Sequence, residues 1–158
     1  MVKQNNDICT ELLAVHAPEQ ELKVRKSIST SEKGVRYTAT VNPERETVVF
    51  QVDGCLICDG DKCDKLVLSK NPADTKTWIG HFVELKHSDV EHAIDQLEAT
   101  IRHTVFKHPS LTRKYARIVA TRFPANNGNT PFEKARERFA DKYRCNLKRL
   151  KPNQPDSI

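Results

Sequence analysis

Hydrophobic and polar positions change period several times along the 158-residue chain. Ile8, Leu12, Leu13 and Val15 fall near helical spacing and Pro18 closes the stretch, which predicts a short helix over 6–15. The polar stretch 19–33 has no clear period and reads as an extension of that helix or as a loop. From Gly34 the pattern alternates: VRYTATV (35–41) and TVVFQV (47–52) are rich in β-branched residues, and NPERE between them reads as a turn, so the pair predicts a hairpin. DGCLICDGDKC carries two Asp-Gly pairs and predicts a second tight connection. CDKLVLS and KTWIGHFVELK, separated by the turn KNPADT, predict two more strands.

The period then returns to helical. Val90, Ile94, Leu97, Ile101 and Val105 recur at three and four, and Ser88 followed by Glu91 predicts a capping box at the start. KYARIVATRF (114–123) predicts a strand and PANNGNTP a loop. The final element is predicted as a helix running to Leu150, with Thr130 as N-cap, Pro131 at the first helical position and Glu133 three residues past the cap. Its core-facing stripe would be Phe132, Ala135, Phe139, Tyr143 and Leu147, and its aromatics belong to the core rather than to a base-stacking platform. The predicted order, α, three or four β, α, β, α, places the chain in the α/β class, with a mixed central sheet flanked by helices on both faces. Residues 1–151 form one domain, and 152–158 a frayed tail.

Charge is distributed unevenly. Residues 1–101 hold 12 Lys/Arg against 17 Asp/Glu, whereas residues 102–151 hold 14 against 3. A basic half of that density attracts a polyanion and releases its counterions, which points to nucleic acid, although a solvated basic face without a partner has the same composition. Arg102, Lys107, Arg113 and Lys114 cluster beyond the long helix, and Arg138 and Lys142 lie on the outward side of the last one, as phosphate-contacting residues; His87 is placed to touch a phosphate as well. No apolar run approaches the length of a membrane span and the start has no secretory pattern, so a cytoplasmic setting without membrane contact is expected.

Within KTWIGHFVELK the charges need an explanation. Side chains alternate across a strand, so Glu84 and Lys86 share a face with Phe82 and Trp78. Desolvated charges there must pair, reach the rim or hold an ion. If the preceding strand pairs as a hairpin, Asp64 lies beside Glu84, and two close carboxylates suit a hard dication such as Mg²⁺ or Mn²⁺, with the Leu85 carbonyl as third donor. Lys86 would then orient or deprotonate a water for phosphodiester hydrolysis. The plainer alternative is a rim ion pair of Glu84 and Lys86, with Asp64 in a turn.

Asp64, nineteen intervening residues, then Glu84 within FVELK on a strand running into an amphipathic helix, resembles the PD-(D/E)XK nuclease superfamily. The resemblance implies a restriction-endonuclease-like αβββαβ core covering roughly residues 6–123, with Asp64 and Glu84 as metal-binding acids and Lys86 as the catalytic lysine. It further implies Gln96 on the helix as a catalytic residue, in the place of the glutamine of RecB-like members, and Glu11 on the first helix as the additional acid some members use. It therefore implies a metal-dependent nuclease, with DNA favoured over RNA. A non-catalytic nucleic-acid-binding or assembly subunit retaining the fold is the alternative, and a module docking an acidic protein a third. A domain this small has limited surface to enclose a duplex, so a homodimer or a larger complex is expected.

Five cysteines in a chain read as intracellular predict free thiols. Cys55, Cys58 and Cys63 have a knuckle-like spacing that could begin a structural Zn²⁺ site, with Cys145 or a histidine completing it. The same residues also fit as small hydrophobes packed in strands.

Overall fold

Ten regular elements and one short 3₁₀ turn account for most of the computed structural model, which describes residues 6–123 and 131–158. In chain order they are α1 (Ile8–Val15), β1 (Gln20–Glu32), β2 (Val35–Gln51), β3 (Lys65–Lys70), β4 (Trp78–Lys86), α2 (Val90–Arg102), the 3₁₀ turn Thr104–Phe106, β5 (Leu111–Ala120), α3 (Pro131–Tyr143), β6 (Cys145–Leu150) and β7 (Asp156–Ser157). The strands form one mixed sheet in the order β1-β2-β3-β4-β5-β6, with β7 beside β2. Strands β1 to β4 pair antiparallel in succession; β5 runs parallel to β4, and β6 parallel to β5.

Strand β4 lies inside the sheet, and eight of its nine residues are buried. Alternation divides the sheet into two faces. Leu66, Leu68, Phe82, Ala116 and Ile118 face one core, which also takes Ile8 and Leu12 from α1, Ile94 and Leu97 from α2, and Phe132 and Phe139 from α3. The other core holds Val67, Val83, Leu85 and Val119 together with Ile28, Tyr37 and Val41 from β1 and β2. All three helices therefore cover one face, not two as expected: the long β1–β2 ribbon curls over and seals the second.

Several local expectations give way to tertiary structure. The 19–33 stretch is strand β1, because its pairing with β2 satisfies the backbone although few of its side chains are buried. The expected hairpin over 35–52 is one strand: β2 continues through Asn42–Pro43, a cis peptide, and the pairing with β1 shifts register opposite it, between Arg25 and Ser27. Asp89, rather than Ser88, caps α2, its carboxylate accepting from the His92 amide at 3.0 Å. The last helix stops at Tyr143, where Arg144 takes a left-handed backbone (φ 50°) and CNLKRL becomes β6; Leu147 faces the core from a strand. Thr130, expected as the α3 N-cap, lies outside the described residues. The tail is not frayed: Asp156 is buried, accepting from Tyr37 Oη at 2.7 Å and Arg117 Nε at 2.8 Å while β7 pairs with Ala39 and Thr40.

A candidate acid-pair site at the end of β4

Register brings the two acids together. Lys65 pairs with Val83, so the next position places Asp64 opposite Glu84. The Asp64 amide donates to Glu84 Oε2 at 3.1 Å, and the Leu85 amide donates to Asp64 Oδ2 at 2.9 Å. Both side chains are withdrawn from solvent, with Asp64 at 7% and Glu84 at 1% exposure. Lys86, two residues along the same face and partly exposed, reaches Glu84 Oε1 at 3.5 Å. The Asp64–Glu84–Lys86 constellation expected from sequence is thus assembled in space, at the end of β4 that leads into α2. Leu85 takes part in the pair through its amide N–H.

Burial, then the neighbouring Asp64 carboxylate, pushes Glu84 up to about 9. Burial also raises Asp64 above its ordinary value, with the Glu32 charge adding to the effect and the Leu85 amide opposing it. At neutral pH Glu84 therefore favours its protonated form. A dication would replace that proton with more charge. Mg²⁺ is ordinarily held by one or two carboxylates and completes its shell with water and phosphate oxygens. Two carboxylates are present; Gln96 Oε1, on α2, is buried without a hydrogen-bond partner among the described residues.

Helix α2 braces the site. Gln96 Nε2 donates to the Lys62 carbonyl at 3.1 Å, and the Cys63 amide donates to Thr100 Oγ1 at 2.8 Å. These bonds fix the two residues preceding Asp64 and hence the direction of its side chain. On the reverse face Lys65 is buried in an ion pair with Glu19 and at 3.1 Å from Glu32, within a part of the chain whose sequence shows no period. Glu32 and its influence on Asp64 were not legible in sequence, because only the curl of β1 brings it there.

Family models, curated proteins and solved structures offer no match to this chain.

The other expected site residues distribute differently. Among the described residues no three His, Cys, Asp or Glu side chains gather as a metal site, the Cys55, Cys58 and Cys63 set included. Cys63 is wholly buried, its thiol pushed up by burial and its Sγ 3.6 Å from the Lys65 carbonyl, whereas Cys58 is exposed. Cys63 therefore packs as a small hydrophobe. His87 Nε2 contacts the Lys33 carbonyl at 3.1 Å, tying the β1–β2 turn to the end of β4. Glu11 pairs with His108 at 3.3 Å, ahead of β5 and at the opposite end of the sheet from Glu84. Arg138 pairs with Glu98 at 2.7 Å. Arg113 and Lys114 project to opposite faces of β5 and cannot form one grip. Arg102, Lys107, Lys114 and Lys142 do converge, but around a separate cavity. No helix among the described residues is long and apolar enough to cross a membrane.

Proposed function

We propose that the protein is a metal-dependent phosphodiesterase that cleaves nucleic acid, DNA in preference to RNA, at the Asp64–Glu84–Lys86 site. The observation that carries the reading is the cross-strand pairing of two buried acids with a lysine beside them, an arrangement too costly to be a neutral packing choice. The order α1, β2-β3-β4, α2, β5, with β5 parallel to β4, supports assigning the core to the restriction-endonuclease-like αβββαβ class. The basic residues of the C-terminal half favour a polyanionic substrate.

In this reading Asp64 and Glu84 hold a Mg²⁺ or Mn²⁺ ion, which supplies Lewis acidity toward a phosphoryl oxygen and a lowered pKa for water. The Leu85 amide keeps Asp64 aimed at the site. Lys86, partly exposed, can reach outward to a phosphate or an attacking water while its stem stays fixed by β4. Gln96 and Thr100 hold the approach to Asp64 in place.

The direct test incubates covalently closed circular DNA, linear DNA and RNA with Mg²⁺, Mn²⁺ or chelator. Metal-dependent conversion of the closed circle supports an endonuclease, and loss of linear DNA alone an exonuclease. Binding without cleavage under every condition contradicts the proposal and favours the second reading, a non-catalytic nucleic-acid-binding or assembly subunit. One observation favours that alternative: two backbone amides already donate to the acid pair.

A further inference from the structure

A second concavity lies at the opposite end of the sheet from the acids. Lys114 is level with Gly80, whereas Glu84 is level with Ile118, four residues or about 13 Å further along β5. Arg102 and His103 at the end of α2, Lys107 after the 3₁₀ turn, Lys114 on β5, and Lys142 and Tyr143 at the end of α3 line a cavity of about 660 Å³, and no acid is among its lining residues. Ligand pockets commonly span about 300–1,000 Å³, so the volume suits a nucleotide.

Two of the four cations are not explained by their neighbours. Arg102 and Lys142 lie in the last turns of helices, where a cation complements the helix dipole. Lys107 and Lys114 belong to no helix, and among the described residues neither they nor Arg102 make an ion pair. Lys114 is only half-exposed, and burial together with the Lys107 charge disfavours its ammonium form. Tyr143 Oη is withdrawn from solvent without a hydrogen-bond partner, beside this set. Like charges and an unmatched hydroxyl around one space are what a multiply charged, oxygen-rich ligand requires.

We propose that this cavity binds the terminal phosphate of a nucleotide, either free or at the end of a strand. Its charge matches a phosphomonoester, which carries about −1.5 to −2 at neutral pH, better than the single charge of an internal diester. The inference does not depend on cleavage at the acid pair, and its test is made with chelator present.

Fluorescence polarisation of internally labelled short strands bearing a 5′-phosphate, a 3′-phosphate or neither measures the preference. Competition with deoxyadenosine monophosphate against deoxyadenosine separates the sources. One phosphorylated strand is expected to bind at least about tenfold more tightly than the unphosphorylated strand, a difference of about 1.4 kcal/mol. Lys107→Gln and Lys114→Gln each erase that preference, Tyr143→Phe reduces it, and Arg36→Gln, an exposed charge on β2, retains it. A monophosphate that competes as well as the strand assigns the cavity to free nucleotides; one that competes far less well assigns it to strand ends. Equal binding of all strands with no competition by the monophosphate, or a preference that survives Lys107→Gln as well as Lys114→Gln, overturns the proposal.

Discussion

Binding of Mg²⁺ to the acid pair must displace a proton. Glu84 titrates at about 9, held there by burial and by Asp64. At pH 7.5 nearly every molecule carries that proton, and ionising the group costs about 2 kcal/mol, from roughly 1.5 pH units at about 1.4 kcal/mol each. Metals are held by deprotonated carboxylates, so each binding event at pH 7.5 should release about one proton. Apparent affinity should accordingly rise about tenfold per pH unit from roughly pH 6.5 to 8.5 and level off above about 9. Calorimetric titration of Mg²⁺ in two buffers of different ionisation enthalpy counts the protons directly. The same titration repeated across pH gives the slope. Glu84→Gln has no such proton to release, and its weaker binding should not follow this slope. Proton release near zero in the wild-type protein, with affinity flat across that range, would refute the coupling of the two acids.

The same physics sets three further outcomes. With chelator present, the raised Glu84 value makes the folded state the stronger proton binder, so its contribution to stability is complete below pH 4.5 and is lost as pH rises through about 9; Glu84→Gln should flatten that decline in thermal unfolding, lying nearest wild type at about pH 4.5 and exceeding it increasingly up to about pH 9. His81 has the opposite sign: burial, then the Arg117 charge, depresses it to about 3, so its neutral form stabilises the fold above pH 6.5, and about 3 kcal/mol should be lost between pH 6.5 and 4. His81→Gln should remove that part of the acid sensitivity in denaturant titrations at the two pH values. Asp156→Ala leaves Arg117 and Tyr37 buried without their acceptor and should cost about 3–5 kcal/mol in urea unfolding; a loss under 1 kcal/mol would mean that the tail is not a fixed part of the sheet.

The inner part of this fold was legible in sequence because each element there follows one period. Trp78–Lys86 is nearly all buried, and Val90–Arg102 keeps its apolar residues at three and four, so both elements and the Asp64–Glu84 pairing followed from pattern and turn spacing. The edges were not legible. Gln20–Glu32 is polar on both sides because one side faces solvent and the other places Glu32 against the buried Lys65, and alternation cannot signal a strand of that kind. The helix break after Tyr143 carries no glycine or proline: Arg144 adopts the left-handed backbone itself, and the gain is the pairing of Cys145–Leu150 with β5. The charged tail is ordered by one buried ion pair that joins residues 39 positions apart, which no local pattern encodes. For the candidate site, acid-x-lysine on a buried strand pointed to side chains that the fold does bring together. Of the basic residues, Arg102, Lys107 and Lys114 gather as expected beyond α2, but Arg113 points to the opposite face of β5 from Lys114, and α2 carries Arg102 the length of a helix away from the acids.

The most direct test of the central claim measures Mg²⁺-dependent cleavage of circular DNA by the wild-type protein and by Asp64→Asn, Glu84→Gln and Lys86→Met, with circular dichroism establishing that each is folded. The account predicts that every substitution lowers the rate by roughly a hundredfold or more while the DNA is still bound. Wild-type rates in all three folded variants would contradict it.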